Sequence, residues 1–359
     1  MLTRRQLIRA LGLALAASGI PAARALVPAQ AGAVAASAEK TTFSMGTVVS
    51  FKVCGPTQEQ ASVWLEAADA EMGRLASLLT VHAEKSPLLD VMRRSGEAVA
   101  VPPEVAECLK AALVVARDSG RAFEPTIGKL VDVWKIGFGG ESVPADAAIR
   151  EALRYVDYRR VKVWRKGGQD YVRIGRGQDV DLGGIAKGYI GTKLAAELKV
   201  LGAKSALMSL GGNVVLVGSS PSGAPWRIGL QHPDEERNGY FAVLEAEDES
   251  VITSGAYERK IEVKGKSYGH ILSPVTGRPV ATDLSSVSIA SKDGALADAW
   301  CTALFAMGQE KARRLLASRR DLEAVLMSRD CRSVWMTPGI AARCEVTDPS
   351  VKNVHTIRR

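Results

Sequence analysis

The sequence predicts an α+β fold in which antiparallel sheets pack against helices. Helical periodicity occurs in long single segments, whereas strand-like segments come in runs that short turns can join into hairpins. One such turn is Lys264-Gly265-Lys266. The chain has 359 residues, of which 47% are hydrophobic and 24% charged, so it can build a sizeable core. The separation of helices from hairpins favours the α+β class.

The first 25 residues have the pattern of a twin-arginine export signal. Arg4 and Arg5 are followed by Leu and Ile, an apolar run at 10–20 and a small-x-small cleavage site at 23–25. The alternative is a short membrane anchor, but the apolar run is too short to cross a bilayer. We expect a periplasmic protein, exported by the twin-arginine route and not stably inserted in the membrane after signal removal.

Charge and composition bound the rest of the chain. Residues 1–25 carry four arginines and no acidic residue, so their removal lowers the formal charge from +8 to +4. No basic cluster with interleaved aromatic residues occurs, so we expect no nucleic-acid partner. Residues 26–40 are rich in alanine and predict a flexible lead. A domain of two intertwined subdomains is predicted at 41–340, and a loose tail at 341–359.

Periodicity and turn signals place the elements in order. Helices are expected at 57–79, 103–119, 145–154, 185–201, 293–307 and 309–318. Strands are expected at 42–54 (with a break at 45–47), 160–165, 170–175, 205–210, 214–217, 226–231, 240–246, 250–253, 257–263, 266–272, 285–290, 322–327 and 333–337. Residues 80–102 are predicted to be a weakly ordered loop, and 122–140 a binding loop in which Trp134 is a core residue.

A glycine turn before the helix at 185–201 could hold a phosphate. Asp181 is followed by Gly183 and Gly184, and Lys187 falls in the first helical turn. Free N–H groups at a helix start, together with a lysine, favour an anion. The alternative is an ordinary strand-to-helix connection, because the pattern is neither a P-loop nor GxGxxG.

The helix at 293–307 contains a candidate metal site. Asp298 and Thr302 are four residues apart, which places both oxygens on one face of an otherwise apolar helix. A buried acid needs a partner, and Mg²⁺ accepts carboxylate and hydroxyl oxygens. The alternative is an aspartate at the solvent edge of the helix.

His270 is the candidate base. It lies at a junction between a strand and a turn that is marked by Pro274 and Gly277. Histidine can accept protons near neutral pH, although a lone histidine can also be structural. Neither a protease pattern nor a zinc pattern is present.

The five cysteines, Cys54, Cys108, Cys301, Cys331 and Cys344, have no CxxC or metal spacing. They are expected to be isolated buried thiols. A bridge between Cys331 and Cys344 is left open, because the periplasm is oxidising.

Eight segments in order resemble the FAD:protein FMN transferases, the ApbE-type flavin transferases. They are Met45-Gly46-Thr47, residues 122–128, residues 180–189, Leu210-Gly211-Gly212-Asn213, residues 226–229, residues 253–257, residues 270–277 and residues 297–305. The resemblance spans residues 42–305 and implies an ApbE-like, T-fold-related architecture.

The resemblance implies Mg²⁺-dependent transfer of FMN from FAD to a Thr or Ser of a partner flavoprotein, with release of AMP. The metal ligands it implies are Asp298, Thr302 and the Gly184 carbonyl, and Asp298 and His270 are the catalytic candidates. The flavin contacts it implies are Met45, Ala122, Phe123, Glu124, Asp181, Lys187 and Leu272, with His82 at a position where the family has an aromatic residue. Departures from the family pattern occur at 86–92, at His82, at Glu124 and at Ser273, where an aspartate is usual.

The acceptor expected from the resemblance is a flavoprotein of a membrane redox complex. The candidates are the Rnf complex, the sodium-pumping quinone reductase and the nitrous-oxide respiration system. Two other functions are left open. One is an FAD pyrophosphatase, and the other is a periplasmic FAD-binding protein that has lost the chemistry.

Overall fold

The computed structural model describes residues 36–235, 239–255 and 259–359. The predicted signal at 1–25 and residues 26–35 of the predicted lead lie outside this part of the chain. Within it are nine α-helices and seventeen strands, and nearly all strand pairs are antiparallel, which confirms the α+β prediction. Across the same residues, every helix is too short or too polar to span a lipid bilayer.

The helices are α1 (Gln58–Leu79), α2 (Pro87–Arg93), α3 (Pro103–Asp118), α4 (Gly128–Trp134), α5 (Asp146–Leu153), α6 (Ala186–Val200), α7 (Gly294–Met307), α8 (Gln309–Ser318) and α9 (Pro338–Ala341). The strands are β1 (Ala36–Ser44), β2 (Thr47–Gly55), β3 (Val99–Val101), β4 (Lys162–Lys166), β5 (Gln169–Arg173), β6 (Ser205–Leu210), β7 (Asn213–Val217), β8 (Trp226–Gln231), β9 (Tyr240–Ala246), β10 (Ser250–Gly255), β11 (Lys260–Val263), β12 (Lys266–Gly269), β13 (Leu284–Ser291), β14 (Glu323–Ser328), β15 (Ser333–Met336), β16 (Cys344–Val346) and β17 (Asn353–Thr356).

A nine-stranded sheet organises the molecule, in the order β1-β2-β6-β7-β10-β13-β14-β15-β17. Neighbouring side chains along a strand point to opposite faces. Met208 therefore packs in the large cluster formed with the helices, whereas Leu207 packs in a second cluster shared with the sheet β16-β9-β8. The large sheet thus separates a helical layer from a smaller sheet.

Helix ends follow the capping residues in the sequence. The Thr57 hydroxyl accepts a hydrogen bond from Gln60 N at 3.1 Å and starts α1. Asp293 Oδ1 does the same for Leu296 N at 3.0 Å and starts α7. Such caps satisfy N–H groups that have no partner inside the helix, so both helices begin within a residue of the predicted position.

The chain termini differ from the prediction. The last five residues of the predicted flexible lead belong to β1, which pairs with β2. The predicted loose tail supplies β16, paired with β9, and β17, paired in parallel with β15. All four residues of β17 are exposed, so the segment lacks an amphipathic pattern, and backbone pairing orders it. The division of 41–340 into subdomains stays a prediction.

The predicted loops are more regular than expected. Residues 80–102 contain α2 and β3, because Ser86 caps α2, Pro87 begins it, and Leu88 and Val91 anchor it in the core. The segment 122–140 contains α4, and Trp134 is a core residue as predicted. All five cysteines are free, four of them buried and Cys344 partly buried, in agreement with the expectation of isolated thiols.

Candidate functional site

Close packing of α6 against α7 builds the centre of the candidate site. A Cβ on Gly188 would lie 2.0 Å from the Gly294 carbonyl oxygen and 2.7 Å from Asp298 Cβ, so only glycine fits at 188. Gly294 N also donates to Thr192 Oγ1 at 2.9 Å. This contact brings Asp298 against the first turn of α6.

Asp298 is buried, with 4% of its surface exposed, which excludes the alternative of a solvent-edge aspartate. Its Oδ2 accepts a hydrogen bond from Gly188 N at 2.9 Å. Burial raises the pKa of Asp298, while the charge of Lys187 and the neighbouring Asn213 side chain act to lower it. Asn213 Nδ2 is itself buried without a hydrogen-bond partner among the described residues. The protein thus compensates a negative charge on the buried Asp298 only in part, and a cation would complete the compensation.

Thr302 and Gly184 lie beside each other. Thr302 Oγ1 is 3.4 Å from the Asp298 carbonyl oxygen and 3.5 Å from Ser254 Oγ. A Cβ on Gly184 would lie 3.2 Å from Thr302 Oγ1 and 3.1 Å from the Phe123 ring, so the Gly184 backbone approaches closely. The structure therefore brings the three predicted metal ligands into one region. Their donors are a carboxylate, a hydroxyl and a carbonyl, a set that fits Mg²⁺.

His270 and Lys187 belong to the same region. The Arg259 carbonyl accepts from the His270 backbone N–H at 3.1 Å and lies 3.2 Å from His270 Nδ1, so Nδ1 carries the proton and Nε2 keeps its lone pair. Burial, with the nearby charges of Arg259 and Lys187, lowers the pKa of His270 to about 4. The imidazole is therefore neutral at physiological pH. Within the described residues, the Lys187 amine has no hydrogen-bond or ion-pair partner.

Asp181 closes the glycine turn before α6. Its Oδ1 accepts from Gly183 N at 2.8 Å, and its own N–H donates to the Pro125 carbonyl at 2.8 Å. Burial raises the pKa of Asp181, and the hydrogen bond from Gly183 acts to lower it, as do the nearby His82 and Arg259 side chains. The predicted flavin contacts Asp181 and His82 are therefore close enough to interact electrostatically.

An aromatic and cationic rim lies next to these residues. The rings of His82 and Phe138 have centroids 5.2 Å apart, and the Arg259 guanidinium lies 5.7 Å from the Phe138 centroid. Arg259 Nη2 also donates to the Gly46 carbonyl at 3.3 Å, in the β1–β2 turn that contains Met45. Such a group can stack on a planar ligand. Phe138 lies in the segment 122–140 that was predicted to be a binding loop, and Arg259 lies in a predicted strand. Neither was named as a site residue, because the sequence does not show which side chains of a segment face a ligand.

The segment 122–124 packs against the glycine turn of the site. The edge of the buried Phe123 ring faces Gly184, and Phe123 N donates to Ser119 Oγ at 3.1 Å. The Glu124 carboxylate accepts from Thr126 Oγ1 at 2.8 Å and from Tyr158 N at 3.2 Å. The Glu124 side chain therefore holds the loop, and within this segment the Phe123 ring is the group that contacts Gly184.

The segment after His270 is held by packing and by a serine. Leu272 is buried in a small cluster with Trp134, whose Nε1 donates to the Gly277 carbonyl at 2.7 Å. Ser273 Oγ accepts from the backbone N–H of Val275 at 3.3 Å and of Thr276 at 3.2 Å. Aspartate and serine both stabilise turns in this way, so Ser273 preserves the turn.

Comparison with known proteins identifies the family. Residues 45–326 match the model of the ApbE family. A relative from Klebsiella pneumoniae, named FAD:protein FMN transferase, is 36% identical over 269 residues, covering 74% of this chain and 82% of its own length. A protein of the same name from Treponema pallidum is 36% identical over 284 residues, covering 76% of this chain and 78% of its own.

Solved structures agree with the fold. The ApbE protein from Thermotoga maritima superimposes with a TM-score of 0.77 at 28% identity, covering 86% of this chain and 99% of its own. The apo flavinyl transferase ApbE from Pseudomonas stutzeri gives 0.71 at 27% identity, covering 82% and 92%. The predicted ApbE-like architecture is confirmed.

Proposed function

The chain belongs to the ApbE family, and we propose that it transfers FMN from FAD to a Thr or Ser hydroxyl of a partner protein in an Mg²⁺-dependent reaction that releases AMP. The activity in the names of its relatives supports flavin transfer. The observation that carries the rest is that Thr302 lies beside the Gly184 backbone and one helical turn from the buried Asp298, with Lys187 and a neutral His270 nearby.

Each residue has a distinct part in this proposal. Asp298, Thr302 and the Gly184 carbonyl would hold Mg²⁺, which when bound neutralises charge that develops on the pyrophosphate oxygens. Lys187 adds a positive charge close to Asp298 and binds a phosphate oxygen. His270 Nε2 accepts the proton of the attacking hydroxyl, since its lone pair is free. The rim of His82, Phe138 and Arg259 stacks on a ring of FAD.

Two alternatives differ in the acceptor. An FAD pyrophosphatase would use water in place of the protein hydroxyl, and an FAD-binding protein would release no AMP. Asp298 and Thr302 are both present, and Thr302 lies beside Gly184, which argues against loss of the chemistry. Ser273, which could have weakened the site, preserves its turn.

The experiment is to incubate the purified chain with FAD, Mg²⁺ and a candidate acceptor domain that bears the target Thr. The intact mass of the acceptor and the release of AMP are followed together. We expect the acceptor to gain one FMN, and EDTA to abolish the gain. AMP without a mass gain would mean either hydrolysis or the wrong acceptor, and AMP release that does not depend on the acceptor would identify the pyrophosphatase. Bound FAD without AMP would point to the binding protein.

We further propose that the acceptor is an exported flavoprotein of a membrane redox complex, of the Rnf, sodium-pumping quinone reductase or nitrous-oxide respiration type. The support is the twin-arginine pattern at 1–25, which lies outside the described residues. Replacing Arg4 and Arg5 with Lys should retain the protein in the cytoplasm. Undiminished periplasmic protein in that variant would exclude this export route.

A further inference from the structure

A second group of potential metal ligands lies away from Asp298. His232 and Asp234 are in the connection between β8 and β9, and Cys331 is in the turn between β14 and β15. One ligand atom from each of the three lies within 4.8 Å of the others. Cys331 packs in the cluster between the two sheets, whereas α7 packs in the cluster on the helical face. The group is therefore on the face of the large sheet opposite to Asp298.

His232 is buried, with 6% of the residue exposed, and one nitrogen of its ring has a lone pair that could bind a metal. Its Nδ1 accepts a long hydrogen bond of 3.2 Å from Asp234 N, so the lone pair is on Nδ1 and the proton on Nε2. The backbone holds the ring, since His232 N donates to the Gly239 carbonyl at 3.0 Å. A metal at Nδ1 would replace only the long hydrogen bond.

A carboxylate lies behind the ring. His232 Nε2 is buried without a hydrogen-bond partner among the described residues, and Asp348 Oδ2 is 3.7 Å away. The backbone N–H of Ser350 donates to Asp348 Oδ1 at 2.7 Å, which holds this carboxylate in place. Metal-bound histidines commonly donate their other N–H to a carboxylate, which orients the ring and strengthens it as a ligand. A small movement of Asp348 would complete this arrangement and satisfy Nε2.

Cys331 supplies a thiol with no other assigned role. It is 3% exposed, and its Sγ is 3.7 Å from Ser285 Oγ, a weak contact. A thiol that coordinates a metal loses its proton.

We propose that His232 Nδ1, Cys331 Sγ and the Asp234 carboxylate bind one Zn²⁺, with Asp348 behind the imidazole. Nitrogen, sulfur and carboxylate donors together select zinc, whereas Mg²⁺ and Ca²⁺ take oxygen ligands. Zinc bonds of about 2.0–2.3 Å require the ligand atoms to draw closer. Asp234 is exposed, and its carboxylate already lies within 4.8 Å of the other two ligand atoms. Water completes the coordination on the exposed side.

A second possible set of metal ligands also includes the His232 ring, but its geometry is less favourable. Glu235 and Asp348 also lie within 4.8 Å of a His232 nitrogen. A metal on Nε2 would require the proton on Nδ1, where it would face the Asp234 N–H. The zinc proposed on Nδ1 would instead connect the β8–β9 connection to the β14–β15 turn. Its role is to stabilise the fold, independently of flavin transfer.

The test uses cobalt as a probe for thiolate ligation. The full chain carrying Asp298→Asn, which weakens the predicted Mg²⁺ site, is reduced, stripped of metal and titrated with Co²⁺ and Zn²⁺. We expect one equivalent of Co²⁺ to give a thiolate charge-transfer band, Zn²⁺ to displace it, and Zn²⁺ to raise Tm. Cys331→Ser should abolish the band and lower Zn²⁺ affinity by at least about 100-fold. Cys344→Ser, a matched cysteine control, should retain both.

Further variants keep the proposal falsifiable if Cys331→Ser fails to fold. Asp234→Asn changes an exposed residue and should weaken Zn²⁺ binding while keeping the band. Asp348→Asn should lower the affinity by about 10- to 100-fold and also keep it. The proposal is overturned by the absence of both the band and the Tm shift, or by a band that persists in folded Cys331→Ser. Loss of binding in Glu235→Gln but not in Cys331→Ser would also overturn it.

Discussion

Asp298 is a buried acid whose charge is only partly compensated by the protein. Asp298→Asn keeps an oxygen for the Gly188 N–H but removes the charge, so we predict that FMN transfer falls by at least about 100-fold while the fold is retained. Transfer is measured by acceptor mass, and the fold by circular dichroism. The matched control is Asp293→Ala, which removes the cap of the same helix and should cost about 1 kcal/mol of stability without loss of transfer. Undiminished transfer in Asp298→Asn would refute the metal assignment.

His270 is predicted to act in transfer more than in binding. His270→Ala should lower the transfer rate by about 100- to 10,000-fold, the usual contribution of a general base. The Kd for FAD should change far less, because the base acts on the acceptor hydroxyl. Rates come from acceptor mass, and Kd from flavin fluorescence. Equal losses in rate and affinity would reduce His270 to a structural or binding residue.

The same histidine predicts a pH dependence. Burial lowers its pKa from 6.5 to about 4, so the unfolded chain binds a proton at a higher pH than the folded chain does. The stability associated with the neutral ring is therefore present above pH 6.5 and is lost as the pH falls toward 4. Chemical denaturation across this range should show a shallower loss of stability in His270→Gln than in the wild-type chain. Equal slopes would contradict the buried neutral ring.

At the residue scale, the sequence was enough to predict site residues whose side chains are themselves chemically distinctive. Asp298 and Thr302 could be placed together because helical spacing is fixed. The roles of Asn213 and Arg259 could not be predicted. Each residue reaches the site through a turn of the chain that brings it close to residues that are distant in the sequence. The orientation of the Glu124 side chain could not be predicted either, because it depends on a hydrogen bond from the backbone N–H of Tyr158, which is distant in the sequence.

Among the elements, the contact between α6 and α7 determines where Asp298 lies. Gly188→Ala would force a Cβ against the Gly294 carbonyl, so the helices must separate. We predict destabilisation of about 1–3 kcal/mol and a loss of FMN transfer larger than the loss of folded protein. Urea unfolding and acceptor mass measure the two effects. Gly73→Ala on the exposed face of α1 is the matched control, since its Cβ meets nothing within 4 Å. It should stabilise the chain by roughly 0.5–1 kcal/mol.

Element boundaries were predictable where local chemistry defines them. The α1 and α7 starts and the Lys264–Gly265 hairpin turn follow from caps and turn residues. Helix α2 was not predicted, because seven residues give too short a period to recognise and its order comes from burial of Leu88 and Val91. The contact between α6 and α7 could not be predicted either. Gly188 is present in the predicted helix, but the sequence does not show which other helix packs against it.

At the scale of the whole molecule, the order of the strands in the large sheet could not be predicted from local sequence patterns. Antiparallel hairpins follow from neighbouring strands, but the pairing of β2 with β6 and of β10 with β7 joins distant parts of the chain. The parallel pairing of β17 with β15 is of the same kind. These pairings place α6 and α7 on one face and the proposed zinc ligands on the other.

The last strand provides a test of this long-range assembly. Deleting residues 353–359 removes β17 and the buried Ile357, so we predict a decrease in Tm of roughly 5 °C. Transfer per folded molecule should be preserved, because three strands separate β17 from β10 beside the site. Calorimetry and acceptor mass measure the two quantities. Ile357→Val should give a smaller decrease, and Val354→Ala, at an exposed position of β17, should give almost none. An unchanged Tm after deletion would mean that the strand is not paired in solution, as the sequence alone had suggested.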